Sequence, residues 1–249
     1  MELTPDLSEI CGIHAGDGYL RDDGKRRELD ISGNFEEADY YNCHVKELFK
    51  KVFAVEINPR AFLSRRTYGF VIRNREIIKL FHEIGFPYGN KSTIVRVPRF
   101  ILSSKNKLIY ARFLRGIFDT DGCVTFKNRK TGKYSEFKKT HHYYPSIRFS
   151  TVSKEFANEI IFLLRELQFG HITLNKYKSS NLNENIRYSL IFYGADKLNK
   201  FFKIVGSKNI VKLSRYLVWQ KMGFCPTNLT LQQRQDILNG KINPYSMAL

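Results

Sequence analysis

The chain has 249 residues, 43% of them hydrophobic, enough for one large domain or two ordinary ones with a real core, which excludes a disordered polymer. Its 41 Lys and Arg against 24 Asp and Glu leave a formal net charge of +17, an excess that points to nucleic acid as the partner. No apolar run approaches a membrane span, and the four cysteines at 11, 43, 123 and 225 have no C-x-x-C spacing, which argues against a zinc site.

The opening MELTPDLSE is acidic and polar without a signal-peptide core, so an intracellular, reduced setting is expected: cytoplasm or nucleoid, or an organelle in a eukaryote. Cys11 and Cys123, flanked by apolar positions, are expected to be buried thiols. Thr4 is placed to cap a helix with Pro5 in its first turn, running to about Gly16. Strands follow near 18–22 and 28–33. A long helix is predicted over 35–53, with Tyr41, Val45, Leu48, Phe49 and Val52 at helical spacing. Strands near 56–64 and 67–73 and a helix near 75–84 complete this half.

The order then repeats: a helix over 105–119, strands near 122–127 and 146–151, a helix over 154–168, strands near 171–177 and 186–193, and a helix near 195–204. The fold class is α+β: two pseudo-symmetric αββαββα halves, 1–86 and 105–225, whose antiparallel sheets form one saddle-like reading surface. Residues 87–104, with Pro87 and Pro98, are the connector, and the tail 226–249 holds a short helix around Leu231–Leu238.

One pattern occurs in both halves. Ile10-Cys11-Gly12-Ile13-His14-Ala15-Gly16-Asp17-Gly18 is echoed 104 positions later by Leu114-Arg115-Gly116-Ile117-Phe118-Asp119-Thr120-Asp121-Gly122. Gly12 and Gly16 share one helix face, as do Gly116 and Thr120, so two such helices are able to pack with backbones nearly touching. Asp17 and Asp121 then emerge side by side at helix C-termini, where the helix dipole and their mutual repulsion both disfavour negative charge. A hard divalent cation answers that repulsion, and oxygen ligands with retained water favour Mg²⁺. Such a cation suits phosphodiester hydrolysis.

These residues resemble the LAGLIDADG homing endonucleases, in the single-chain form with two motifs. The likeness covers nearly the whole chain and includes Val97-Pro98-Arg99-Phe100-Ile101-Leu102 ahead of the second motif helix. Copy two fits closely; copy one departs, with Ala15 where the family often has its first acid. The resemblance implies cleavage of double-stranded DNA with Mg²⁺ between Asp17 and Asp121, helped by the backbone carbonyls of Gly16 and Thr120. It implies Mn²⁺ as a substitute, and Ca²⁺ as an ion that binds without supporting cleavage. It also implies a basic residue after the last helix of each half: Lys91 in the first, and Lys208 in the second with Lys212 as rival.

Strand alternation gives each sheet a polar face of DNA-reading type. In the first half it carries Tyr19, Arg21, Glu28, Asp30 and Ser32, the acids as acceptors from cytosine. In the second it carries Thr125 and Lys127, then Arg148 and Ser150, then Thr173, Asn175 and Tyr177, then Arg187 and Ser189, with Ile172 and Leu174 on the core side. The basic stretch 128–144, with Arg129, Lys130, Lys133, Lys138 and Lys139, reads as a hairpin loop that meets phosphates.

The halves differ in sequence, so an asymmetric target is expected of a monomer without an obligate protein partner. Two other readings stay open: an RNA-binding splicing cofactor acting on host intron RNA, and a DNA-binding protein without catalysis. Neither end shows a self-splicing signature, so a free-standing or intron-encoded origin is expected over an intein.

Overall fold

Thr4 accepts the Leu7 N–H at 3.1 Å and Pro5 stands in the first turn of α1, Pro5–Asp17. The matching helix of the second half, α5, spans Lys107–Asp121 and starts at Asn106, whose side chain accepts from Leu108 and Ile109. This computed structural model describes residues 2–127, 143–178, 180 and 184–247. α1 and α5 form the centre of the molecule. A Cβ on Gly12 would lie 2.2 Å from the Phe113 carbonyl oxygen, and one on Gly116 would lie 2.3 Å from that of Glu9. Only hydrogen fits at either place, so the spacing of small residues does set the helix contact.

An ion cluster fixes the register of the pair. Glu9, fully buried on α1, accepts from Arg115 Nε of α5 at 2.9 Å and from its Nη2. His44 Nε2 stands 2.6 Å from the same carboxylate. Ser8 adds a hydroxyl bond of 2.8 Å to the Ile109 carbonyl.

Each motif helix leads directly into a four-stranded antiparallel sheet. The first contains β1 Gly18–Asp22, β2 Arg27–Gly33, β3 Arg60–Phe62 and β4 Thr67–Ile72 in the order β1-β2-β4-β3. The second contains β5 Cys123–Lys127, β6 Tyr144–Thr151, β7 Thr173–Tyr177 and β8 Arg187–Tyr193 in the equivalent order β5-β6-β8-β7. One face of each sheet packs on helices. In the first half Leu29, Ile31 and Phe70 meet Phe49 of α2 (Lys46–Phe53) and Phe81 of α3 (Arg75–Glu83) in one core. In the second half Phe118 of α5 and Phe149 surround Phe201 of α7 (Ala195–Ile204). The connector, with the short α4 (Arg99–Leu102), is tied to α6 (Lys154–Glu166): Glu159 accepts from Arg96 Nε and the Val97 N–H, both at 2.8 Å.

Several elements differ from expectation. Segment 35–53 is continuously helical, as expected, but not uniformly α: it opens with a 3-10 turn, Phe35–Glu37, capped by a reciprocal Asn34–Glu37 box, and a π-helical turn, Tyr40–Val45, leads into α2. The wide turn buries Tyr40 and Tyr41 together. The strand expected over 56–64 shrinks to Arg60–Phe62. Leu174 is 40% exposed rather than in the core, because β7 is an edge strand that the second-half helices do not cover there. Cys11 is buried, while Cys123 is only partly so.

The largest omission is α8, Ile210–Met222, which begins at the cap residue Asn209. It stacks Tyr216 on Phe202 at 3.9 Å and holds α9, Leu231–Leu238, through fully buried Arg234, which donates to Ser214 Oγ at 2.8 Å. Among the described residues no helix is long and apolar enough to cross a membrane.

Candidate functional site

Asp17 and Asp121 end the two paired helices and stand together. A Cβ on Gly16 would be 3.3 Å from Asp121 Oδ2 and 2.1 Å from Thr120 Oγ1. Burial pushes the Asp17 carboxyl up to about 7, with Asp121 and Glu37 adding repulsion. Tyr41, whose hydroxyl donates to Asp17 Oδ2 at 2.8 Å, opposes part of that rise. Asp121 opens to solvent but is crowded by protein on its other sides. This desolvation raises its carboxyl, while Lys91 and Lys212 pull it back.

The lysines approach from opposite halves. Lys91, half-buried, donates from Nζ to the Gly16 carbonyl at 2.8 Å. Lys208 meets the site through its backbone: its N–H donates to Asp119 Oδ2 at 2.8 Å, and its side chain is exposed. Lys212, on the first turn of α8, is the second-half cation whose charge both carboxylates feel.

Asp119 has a different task from Asp121. Fully buried, it accepts from the Ser207 hydroxyl and the Lys208 N–H, fixing the loop before α8. Burial pushes its carboxyl up to about 7. Ala15 stands at the equivalent place in copy one, and the first-half loop is held instead by the Gly89 N–H bond of 2.7 Å to the Leu20 carbonyl. His14, next to Ala15, is buried between Phe81 and Phe86 with ring centroids 4.8 and 4.4 Å away, and both its nitrogens lack a partner.

The donor set fits a hard cation: two repelling carboxylates with backbone oxygens beside them. The carbonyl of Gly16 is shared with Lys91, and that of Thr120 lies one residue before Asp121. Among the described residues no group of three or more His, Cys, Asp or Glu could hold a metal. The remaining positions would therefore fall to water and substrate oxygen, as Mg²⁺ prefers.

Both polar faces start at this end of the helix pair, since β1 follows Asp17 and β5 follows Asp121 within two residues. Register puts Thr125, Lys127, Arg148, Ser150, Thr173, Asn175, Tyr177, Arg187 and Ser189 on one face of the second sheet. Ser189 is nonetheless 3% exposed, at the floor of that face. In the first sheet Tyr19, Arg21, Glu28, Asp30 and Ser32 share a face.

Asp30 is not a free acceptor, since it takes Arg65 Nη1 at 2.5 Å; Glu28 stands 3.9 Å from Arg73 Nη2, an ion pair longer than a hydrogen bond. Arg60, Phe62, Arg65 and Arg73 were not singled out from sequence; Arg60 and Phe62 stand at alternate positions, the one signal available. Arg129, Lys130, Lys133, Lys138 and Lys139 lie outside the described residues.

A pair of small-residue helices, each delivering one acid and each followed by a four-stranded sheet, defines a duplicated LAGLIDADG-type scaffold. Residues 109–206 match the sequence model of the LAGLIDADG-like domain, and the first half repeats the same fold. The fold is similar to that of variants of the homing endonuclease I-DmoI (TM-score 0.52, 15% identity, 82% of this chain and 92% of that one). It is also similar to I-DmoI in complex with DNA and Mn (TM-score 0.51, 14% identity, 81% of this chain and 96% of that one).

Two curated relatives come from Methanocaldococcus jannaschii. A glutamine–fructose-6-phosphate aminotransferase is 29% identical over 205 residues, 82% of this chain and 16% of that protein. A replication factor C small subunit is 25% identical over 216 residues, 87% of this chain and 10% of that protein. The chain thus spans only a small part of the length of these relatives.

Proposed function

We propose that this protein is a site-specific endonuclease that hydrolyses both strands of double-stranded DNA at a long asymmetric target, using a divalent cation, Mg²⁺ first. The observation that carries this reading is the pairing of Asp17 with Asp121 where both polar sheet faces begin, flanked by Lys91 and Lys212. The fold is that of a homing endonuclease solved with DNA and with Mn or Ca, which supports a divalent ion and a duplex substrate.

When bound, the cation supplies Lewis acidity and a more acidic water at the scissile phosphate. Asp17 and Asp121 hold it, and Tyr41 fixes the orientation of Asp17. Lys91 and Lys212 put positive charge beside the phosphate, where negative charge develops during hydrolysis. The two halves present different side chains along their strands, so the target they read is not a palindrome.

The test is cleavage of a randomised duplex library with Mg²⁺, with Ca²⁺, and with Asp17→Asn and Asp121→Asn. Mg²⁺-dependent cuts at one enriched sequence, absent in both variants, are expected. Full cutting by either variant would sink the shared-cation site. Tight binding to structured RNA without any cutting would replace the reading with a splicing cofactor, and duplex binding without cutting would replace it with a non-catalytic binder.

A further inference from the structure

The first-half sheet carries a group that the catalytic centre does not use. Arg65, in the turn between β3 and β4, lies with its guanidinium carbon 4.3 Å from the ring centroid of Phe62. Asp30, 8% exposed on β2, accepts from its Nη1 at 2.5 Å. Arg60 lies over the same ring at 5.4 Å. Arg65 makes no other hydrogen bond among the described residues, and its side chain stays 46% exposed. These groups, with Val71 and Arg73, line one concavity on the polar face.

A free arginine on a sheet samples many rotamers and serves as a phosphate contact. This one is held on a flat face by an aromatic ring and at one donor by a nearly buried carboxylate. Its remaining donors keep their fixed fork and stay open to solvent. A fork of that kind matches the O6 and N7 acceptors of guanine in the major groove, and holding it in place beforehand lowers the entropy lost on contact.

We infer that Arg65 reads one guanine in the half-site bound by the first sheet, with Asp30 and Phe62 as positioning residues. This rests on the DNA reading proposed above. It also gives Asp30 a role unlike a direct acceptor from cytosine: its carboxylate is spent on the arginine.

The experiment is selection of a randomised duplex library in Ca²⁺ by the full chain and by Arg65→Ala, Asp30→Asn and Phe62→Leu, each over a salt titration. The wild type is expected to enrich a motif with one invariant guanine that Arg65→Ala no longer demands. Preference at that base pair should drop by about 5- to 150-fold, with the other positions unchanged. Asp30→Asn and Phe62→Leu keep the positive charge and should relax the same position by a smaller factor. Arg65→Ala leaves the nearly buried Asp30 carboxylate without its partner, so its melting temperature is expected to fall while the chain stays folded at the temperature of the selection, which the melting curve checks.

Equal weakening at every position, with a shallower salt slope, would make Arg65 a phosphate contact and overturn the inference while sparing the DNA reading. A wild type that enriches no motif would overturn both. Asp30→Asn and Phe62→Leu that leave the guanine preference intact would remove the positioning roles.

Discussion

Glu37 and Asn209, 172 positions apart, are joined by a hydrogen bond of 2.9 Å from Asn209 Nδ2 to Glu37 Oε1. The same amide donates to the Asp119 carbonyl at 2.7 Å, and its oxygen caps α8 by accepting the Val211 N–H at 3.0 Å. One buried side chain thus locks a first-half turn, the second motif helix and the start of α8 together. Lys212 sits one turn along α8, with Nζ 3.8 Å from Glu37 Oε1.

That anchoring separates the two second-half lysines. Lys212→Met should lower the cleavage rate by roughly 10²-fold. Lys208→Met should change it little, because the Lys208 contribution is a backbone N–H that methionine retains. Single-turnover cleavage of the selected target measures both; a larger loss in Lys208→Met would reverse the assignment.

Under the proposed reading, the state of Asp17 makes cation binding pH-dependent. Burial pushes its carboxyl up to about 7. Folding therefore favours the protonated form, and the associated stability is full below about 4, declines between about 4 and 7 and is gone above. A cation needs the ionised form, so affinity should rise up to about tenfold per pH unit from pH 5 to 7 and level off above. Calorimetric titration with Ca²⁺ in buffers of different ionisation enthalpy should show proton release at pH 6 and little at pH 8.5. A flat profile would contradict the raised carboxyl.

Gly33 is a spacer for the site. A Cβ there would lie 2.5 Å from Glu37 Oε2, 2.7 Å from Asp17 Oδ2 and 3.0 Å from the Tyr41 hydroxyl. Gly33→Ala is expected to displace Glu37 and Asp17, lowering the melting temperature and weakening Ca²⁺ binding and cutting more than DNA binding. Wild-type cutting by this variant would show that the acid has room to move.

The central helices tolerate no such slack. Gly116→Ala drives a methyl into the Glu9 carbonyl and the Ile13 N–H, both backbone. The expected loss is at least the roughly 1–3 kcal/mol typical of overpacked cores. Urea unfolding gives the value, and a change below 0.5 kcal/mol would mean the helices shift apart at little cost.

What the sequence displayed and what it concealed divide by range. The duplicated motif, its glycine spacing and the alternation of β6 depend on neighbours along the chain, and all three are visible in α1, α5 and the paired sheets. The unexpected features depend on distant partners. α8 went unseen because Asn209, its cap, reads equally well as part of a basic loop after Gly206. The helix expected over 35–53 widens into a π-helical turn at Tyr40–Val45, where the Tyr41 hydroxyl reaches Asp17 24 positions away, a contact that no local pattern encodes. Arg65 escaped notice because its meaning comes from Asp30, 35 positions earlier.

The substitution pattern at Ala15 and Asp119 has a consequence for engineering. The second-half loop is anchored by an acid the first half lacks, while Tyr41 and Glu37 serve the site from the first half alone. A homodimer made by doubling residues of the first half would have no Asp119 and no Asn209. One made from the second half would lose Tyr41, Glu37 and Lys91. Neither half alone carries every residue that the paired acids and the loop before α8 lean on, so a homodimer of either half would have to rebuild those contacts by design.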